Sequence, residues 1–297
     1  MNFALSAAQT AHPMPLALTQ WYPSGRPVRN RAMPVPRRHR MVAEGDAAKD
    51  PASWTLVAIR AANDLGMVRT GMTYDKEYGT SAAFYEKPRR LQYMEGPNEP
   101  AVADHLEMNP RFLDFQFQPL DLTFRRGDGK LVHKYPDVIM EYDDNSVRVG
   151  EIKSNRDWFA SPGIRRPLDR IDVAFAAVGL GPMLHICGED FRRDDSMREA
   201  HEIAIDARLT TFRSEEVAAV RASVSAAGGY GLFDDVVAAI GGRRSHAVDK
   251  LYAMMLKRIV AFDLRAKPRR DTSVTLPRPA RAYALRALLN RFKSPSS

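Results

Sequence analysis

A single cysteine, Cys187, excludes any intramolecular disulfide and any cysteine-built zinc cluster, and fits a chain kept in a reducing compartment. Long apolar runs are missing too. The longest uncharged stretch near the middle, Val173 to Gly188, has 16 residues broken by Gly179, Gly181, Pro182 and His185, too short to span a membrane. There is no internal repeat, P-loop or dinucleotide fingerprint, which sets aside the nucleotide-dependent folds those motifs build. Acids are absent from residues 1–43, which carry Arg26, Arg29, Arg31, Arg37, Arg38 and Arg40, and residues 266–297 oppose eight Lys/Arg with Asp271 alone. What remains is an ordinary globular composition in 297 residues, 44% hydrophobic and 27% charged, enough for one large domain or two modest ones. The whole chain is +8, yet with the two basic ends set apart, residues 44–265 hold 30 bases against 35 acids, a net of −5. Basic ends around an acidic middle imply a polyanionic partner.

Along the chain, residues 1–48 read as a flexible basic arm, because Pro13, Pro15, Pro23, Pro27, Pro34 and Pro36 interrupt any amphipathic period; the same prolines argue against an organelle presequence. Residues 49–92 form an N-terminal extension in which Trp54, Leu56, Val57, Ile59, Ala62 and Leu65 predict a helix ended by Gly66. From Asn98, taken as a cap, a helix runs through Glu99, Val102, Leu106 and Met108 to the stop at Asn109-Pro110. Three β-like runs follow, Leu113–Phe124, Tyr135–Tyr142 and Val147–Ile152, and their short polar connections predict an antiparallel meander. A helix with Leu168, Ile171, Phe175 and Val178, a strand at Met183–Cys187 and a helix from Asp194-Asp195-Ser196 to about Phe212 complete a mixed α/β domain over 93–212. Residues 213–276 read as three short helices, Glu215–Ala227, Leu232–Ile240 and Ser245–Leu256 with Ser245 as N-cap. Extended segments Ile259–Leu264 and Ser273–Leu276 follow, together the outline of a winged helix; 277–297 is a basic tail.

The chemistry concentrates in Tyr135-Pro136-Asp137 and, 14 residues after Asp137, Glu151-Ile152-Lys153. On a strand i and i+2 share a face, so Glu151 and Lys153 point together while Ile152 points into the packed side. An adjacent antiparallel strand brings Asp137 beside them. Converging carboxylates repel, and the cluster favours a proton or a hard cation such as Mg²⁺, with a lysine in reach of a cation-bound water. His105, His133 and His185 lack metal-ligand spacing and read as structural, and Cys187 as a small core residue.

Pro136-Asp137 with Glu151-x-Lys153 resembles the signature of the PD-(D/E)XK nuclease superfamily. Adding Glu99, Asn109-Pro110 and Gln118-Pro119 in this order, residues 93–212 resemble TnsA-like transposon endonucleases, and the following residues do so more loosely. The departure is Ile152, where that family more often has valine. The resemblance implies a restriction-endonuclease-like mixed sheet flanked by helices, with Glu99, Asp137 and Glu151 as ligands of one or two Mg²⁺ ions, replaceable by Mn²⁺, and Lys153 as the catalytic lysine. It implies DNA as substrate, cut at the 5′ ends of a mobile element, with a TnsB-type transposase and a TnsC-type AAA+ regulator as partners, in the cytoplasm and without a membrane.

Gln118 either touches the site or pairs with backbone. Arg156, Arg165 and Arg166, downstream of the catalytic strand, and Arg243, Arg244, Lys250, Arg269 and Arg270, around the third C-terminal helix and the wing, are candidate DNA contacts or solvated faces. The competing functions are a restriction or phage-defence nuclease of the same chemistry, an RNA or Holliday-junction nuclease, and a non-catalytic DNA-binding regulator.

Overall fold

The computed structural model describes residues 50–64, 66–68, 79–279 and 284–293; the basic arm expected over 1–48 lies outside them. The described part is mixed α/β. Its first regular strand is β1 (Thr55–Ala61), where a helix was expected. The apolar side chains of this stretch fit two periods, and long-range pairing decides between them: β1 lies antiparallel against β5 (Leu120–Arg125), with Ile59 opposite Leu122. Burying an apolar strand against a distant partner outweighs local helix preference. β6 (Leu131–Lys134) adds to the other side of β5 and completes a three-stranded sheet, β1-β5-β6.

A hairpin, β2 (Thr80–Tyr85) and β3 (Arg90–Glu95), leads into α1 (Asn98–Met108). Asn98 is the first helical residue rather than the cap: Pro97 precedes it without a side-chain capping bond, and the Asn98 amide donates to Ser154 Oγ at 3.2 Å. The hairpin turn grips the other end of α1. Lys87 Nζ donates to the carbonyls of Leu106 (2.7 Å) and Asn109 (2.6 Å), and Glu107 accepts the Glu86 N–H at 2.9 Å. A lysine on the last carbonyls satisfies groups a helix end leaves open and complements its dipole.

The central sheet has the order β4-β7-β8-β9, made of β4 (Phe112–Phe117), β7 (Val138–Tyr142), β8 (Val147–Lys153) and β9 (Leu184–Cys187). β8 and β9 run parallel and the other neighbours antiparallel. The three expected runs do meet as antiparallel neighbours, β4-β7-β8, but the first of them is split. The run Leu113–Phe124 breaks at Gln118-Pro119, where Gln118 has φ 44°, and the chain leaves for the three-stranded sheet before Pro136 returns it. Proline cannot donate to a ladder, and a left-handed residue turns the strand away from its course. Helices α2 (Asp157–Ala160) and α3 (Pro162–Ala177) cross from β8 to β9, and Leu168, Ile171 and Phe175 bury the α3 face against Ile139 and Val149. α4 (Gly188–Arg193) packs against α1 so closely that a Cβ on Gly188 would stand 2.4 Å from the Asn98 Cβ.

A second core gathers α5 (Asp195–Asp206), α6 (Ser214–Ala226), α7 (Phe233–Ile240) and α8 (Arg244–Leu256) around Val220, Val236, Leu251 and Met254. Asp194 caps α5 by accepting the Met197 N–H at 3.0 Å. α8 begins one residue earlier than expected, with Arg243 at the cap position and Ser245 inside the first turn. The small sheet here pairs β10 (Tyr230–Leu232) with β11 (Ser273–Thr275); within Ile259–Leu264 the structure records a single bridge, Ala261 to Thr275.

The last described segment departs most from expectation. Instead of a basic tail, residues 284–291 form α9 (Ala284–Arg291), whose Leu285 and Leu289 are fully buried with Trp54, Leu122 and Ile139. Glu141 on β7, 1% exposed, accepts the N–H groups of Ala284 and Leu285, both at 2.9 Å. A carboxylate is thereby set on the positive end of the helix.

Candidate active site

At the end of the β7–β8 ladder Val138 faces Gly150, which puts Asp137 and Glu151 one step beyond the last pair and beside each other. Asp137 Oδ2 accepts the Ile152 N–H at 2.6 Å, so the carboxylate is anchored to the neighbouring strand. Lys153 Nζ donates to Glu151 Oε1 and stands 3.6 Å from Asp137 Oδ2. Glu151 and Lys153 share one face, while Ile152 is buried on the other. Glu99, in the first turn of α1 and 8% exposed, accepts the Glu95 N–H through Oε2 at 2.7 Å. Asn98 positions this turn through Ser154, the residue after Lys153, and through Arg192 Nη1, which donates to its Oδ1 at 3.2 Å. Four chemistry-bearing residues from three elements thus form one electrostatic unit.

Burial pushes the Glu99 carboxyl up to about 8; Asp137 adds to the rise, while the Glu95 N–H and Lys153 oppose it. Burial also raises Glu151 to about 7, again with Asp137 adding and Lys153 opposing. Asp137 is raised by burial and held back by Lys153 and the Ile152 N–H. For Lys153, burial works against the charge but Asp137 and Glu151 outweigh it, so the ammonium is held above its ordinary range. Carboxylates destabilised by burial and by one another are the ones a cation relieves.

Among the described residues no three His, Cys, Asp or Glu side chains already stand in metal-holding geometry; here the Lys153 ammonium occupies the space between the two strand carboxylates. The donor chemistry nonetheless suits a hard divalent cation: Glu99, Asp137 and Glu151 offer oxygen alone, at the edge of a sheet, with acidities that favour sharing a positive charge.

Gln118 is 2% exposed, and its backbone is used twice: its N–H donates to the Asp137 carbonyl at 2.8 Å, and its own carbonyl accepts the Val68 N–H at 3.1 Å. It therefore steers the segment carrying Asp137, while its side-chain Oε1 is buried with no hydrogen-bond partner among the described residues. Two charged residues near the site had no place in the motif. Glu95 raises both Glu99 and Asp137, and Lys134 acts on Glu151. Their positions, four residues before Glu99 and three before Asp137, were the available signal.

His105, His133 and His185, read as structural from the sequence, each find a ring or carboxylate neighbour in the fold. His185 stacks on Phe159 at 4.3 Å, His133 pairs with Asp121, and His105 is buried 5.6 Å from the His201 ring. Cys187 is buried in β9.

The structure does not gather the candidate DNA contacts at the site. Arg156 pairs with Asp190 at 3.3 Å, Arg165 lies 3.9 Å from Asp169, and Arg166 lies 4.0 Å from Asp50. Arg244 pairs with Asp234, which Arg270 approaches at 3.5 Å, and Lys250 pairs with Glu216 at 2.7 Å. Arg243 and Arg269 are exposed. The pairs whose arginine is exposed are weak enough to exchange for phosphate, whereas Lys250 is tied to the buried Glu216. The second half of α8 is not open to a groove, since Leu251 to Leu256 are buried; only its first turn, with Arg244, Ser245 and His246, faces solvent. No described helix is long and apolar enough to cross a membrane. Compared with protein-family models and with curated proteins, the chain matches none.

Proposed function

We propose that the chain is a Mg²⁺-dependent DNA endonuclease of the restriction-endonuclease-like fold, with Glu99, Asp137 and Glu151 as ligands of one or two ions and Lys153 as the catalytic lysine. The observation that supports it is the convergence of Asp137, Glu151 and Lys153 at one sheet edge, with Glu99 inside the same electrostatic field. A structural ion pair needs one acid per lysine, whereas this cluster sets one buried and two partly buried acids in the field of one ammonium, at a cost that stability alone does not repay.

When bound, Mg²⁺ supplies Lewis-acid polarisation of the scissile phosphate and lowers the pKa of water. Asp137 is held rigid by the Ile152 N–H, which fixes its direction before substrate arrives. Lys153, kept protonated by its two acids, holds a positive charge and a donor proton beside the reacting phosphate. The Glu95 N–H fixes one oxygen of Glu99 in place.

The order α6, β10, α7, α8, β11 supports a winged-helix-like unit with the exposed first turn of α8 and the Arg269-Arg270 loop as its cationic surface. By its likeness in motif to TnsA-like endonucleases, the chain would be the 5′-cutting subunit acting with a TnsB-type transposase and a TnsC-type AAA+ regulator in the cytoplasm. Genes for such partners beside this one favour that role, and a neighbouring methyltransferase gene favours a restriction nuclease.

The test is incubation of the purified protein with supercoiled plasmid, with and without the neighbouring gene products. Nicking in Mg²⁺ or Mn²⁺, absent in EDTA and in Ca²⁺, is the expected result. Cleavage that continues in EDTA, or specific duplex binding without cleavage under every metal and partner combination, overturns it.

A further inference from the structure

Lys134, which the motif leaves out, closes β6 opposite Leu122 and lies three residues before Asp137. Its Nζ sits 5.5 Å over the centroid of the Trp54 ring, and that ring is 6% exposed and tilted against Phe124 at 5.8 Å. The indole is therefore a fixed shelf rather than a mobile surface group. An ammonium over an aromatic face is attracted by the ring quadrupole, which fixes its position without consuming its hydrogen-bond donors.

None of the three donors of Lys134 meets a hydrogen-bond or ion-pair partner among the described residues, although the side chain is half-buried. Its electrostatic neighbours are the groups of the site itself. Burial lowers its pKa, Glu151 opposes that, and Lys153 adds to it. Lys153 spends its donors on Glu151 and the Ile152 carbonyl, whereas the three donors of Lys134 find no acceptor among the described residues. A partly desolvated cation without an anion is costly, and an arriving oxyanion removes the cost.

Resting on the endonuclease reading, we propose that Lys134, held on Trp54, is a phosphate-binding residue that contacts a backbone phosphate of the DNA strand next to the scissile one. It positions substrate and takes no part in proton transfer. A lysine acts on phosphate as a point charge, and Lys134→Arg keeps that charge together with a group that also stacks on an indole face.

The experiment uses the full chain with Trp21 and Trp158 replaced by phenylalanine, so that emission reports Trp54 alone, titrated with a short DNA duplex in Ca²⁺. Duplex binding is expected to change Trp54 emission, because the ammonium shifts toward phosphate. Lys134→Met is expected to bind the duplex 5- to 20-fold more weakly, with the salt slope of log K reduced by about 0.9, the share of one phosphate contact on B-DNA. Lys134→Arg should recover most of the affinity. Circular dichroism on each variant checks folding, and should Lys134→Met not fold, Lys134→Gln takes its place. Wild-type affinity and slope in Lys134→Met, or Trp54 emission indifferent to bound duplex, overturns the inference and leaves the endonuclease reading standing. A parent protein that neither binds nor cuts DNA overturns both.

Discussion

Replacing Glu141 by alanine tests whether the C-terminal helix is part of the folded unit. Glu141 is 1% exposed, and its two oxygens accept the Ala284 and Leu285 N–H groups, each at 2.9 Å. Alanine leaves two donors at the helix start without acceptors, costing about 1–3 kcal/mol for the fully buried one and less for its half-buried neighbour. The loss of negative charge at the N-terminus of α9 adds up to ~2 kcal/mol in a buried setting. Against this stands relief of repulsion. Glu141 lies directly across the β4–β7 pair from Asp114, whose carboxyl burial raises to about 6, with Glu141 adding to the rise and Arg90 and Arg286 opposing. The net expectation is a loss of ~3 kcal/mol in the docking of α9, about a hundredfold in its opening equilibrium. Hydrogen exchange on a peptide covering 284–293 should accelerate by that factor, and Glu141→Gln, which keeps one acceptor, should fall between. Exchange within twofold of wild type in Glu141→Ala would refute the capping argument.

Two further outcomes follow from other parts of the fold. Burial lowers His201 to about 4, with Asp194 opposing, so its imidazole is neutral when folded and protonates on unfolding below pH ~6.5. The unfolded state then binds more protons, stability present above pH ~6.5 is lost as pH falls toward 4, and His201 contributes ~3 kcal/mol to that loss. Urea unfolding at several pH values should show a flatter dependence for His201→Gln; identical slopes would contradict the burial. At Gln118, where φ is 44°, Gln118→Gly removes the steric cost of a left-handed residue and Gln118→Ile increases it, so the glycine variant should be more stable than the isoleucine variant by ~1–2 kcal/mol in denaturant unfolding. Equal stabilities would mean that backbone strain is not held there.

Local patterns made part of this architecture legible. The helix beginning at Asn98, the strand that follows Asp137, the strand bearing Glu151-x-Lys153, and α6 to α8 follow from prolines and periodicity, although neither Asn98 nor Ser245 takes the cap position expected of it. The common face of Glu151 and Lys153 follows from strand geometry alone. What long-range pairing decides was not legible. Thr55 to Ala61 is a strand because β5, some sixty residues on, completes it, and the exit at Gln118 depends on a backbone conformation unusual for glutamine. The charge of residues 266–297 concealed Leu285 and Leu289, whose four-residue spacing marks a buried helix face. Lys134 and Glu95 lie outside the motif and reach the site only through the fold.

The central claim is that Asp137, Glu151 and Lys153 act on a phosphodiester. Its most direct measurement is the Mg²⁺-dependent nicking rate of Lys153→Ala and of Asp137→Asn, which keeps an acceptor for the Ile152 N–H. Duplex binding in Ca²⁺ is followed in parallel, with the neighbouring gene products present throughout. The expected result is a rate at least about a thousandfold below wild type for both variants, ~4 kcal/mol of lost transition-state stabilisation, with duplex affinity within a few-fold of wild type. Nicking by Lys153→Ala at the wild-type rate would contradict the account.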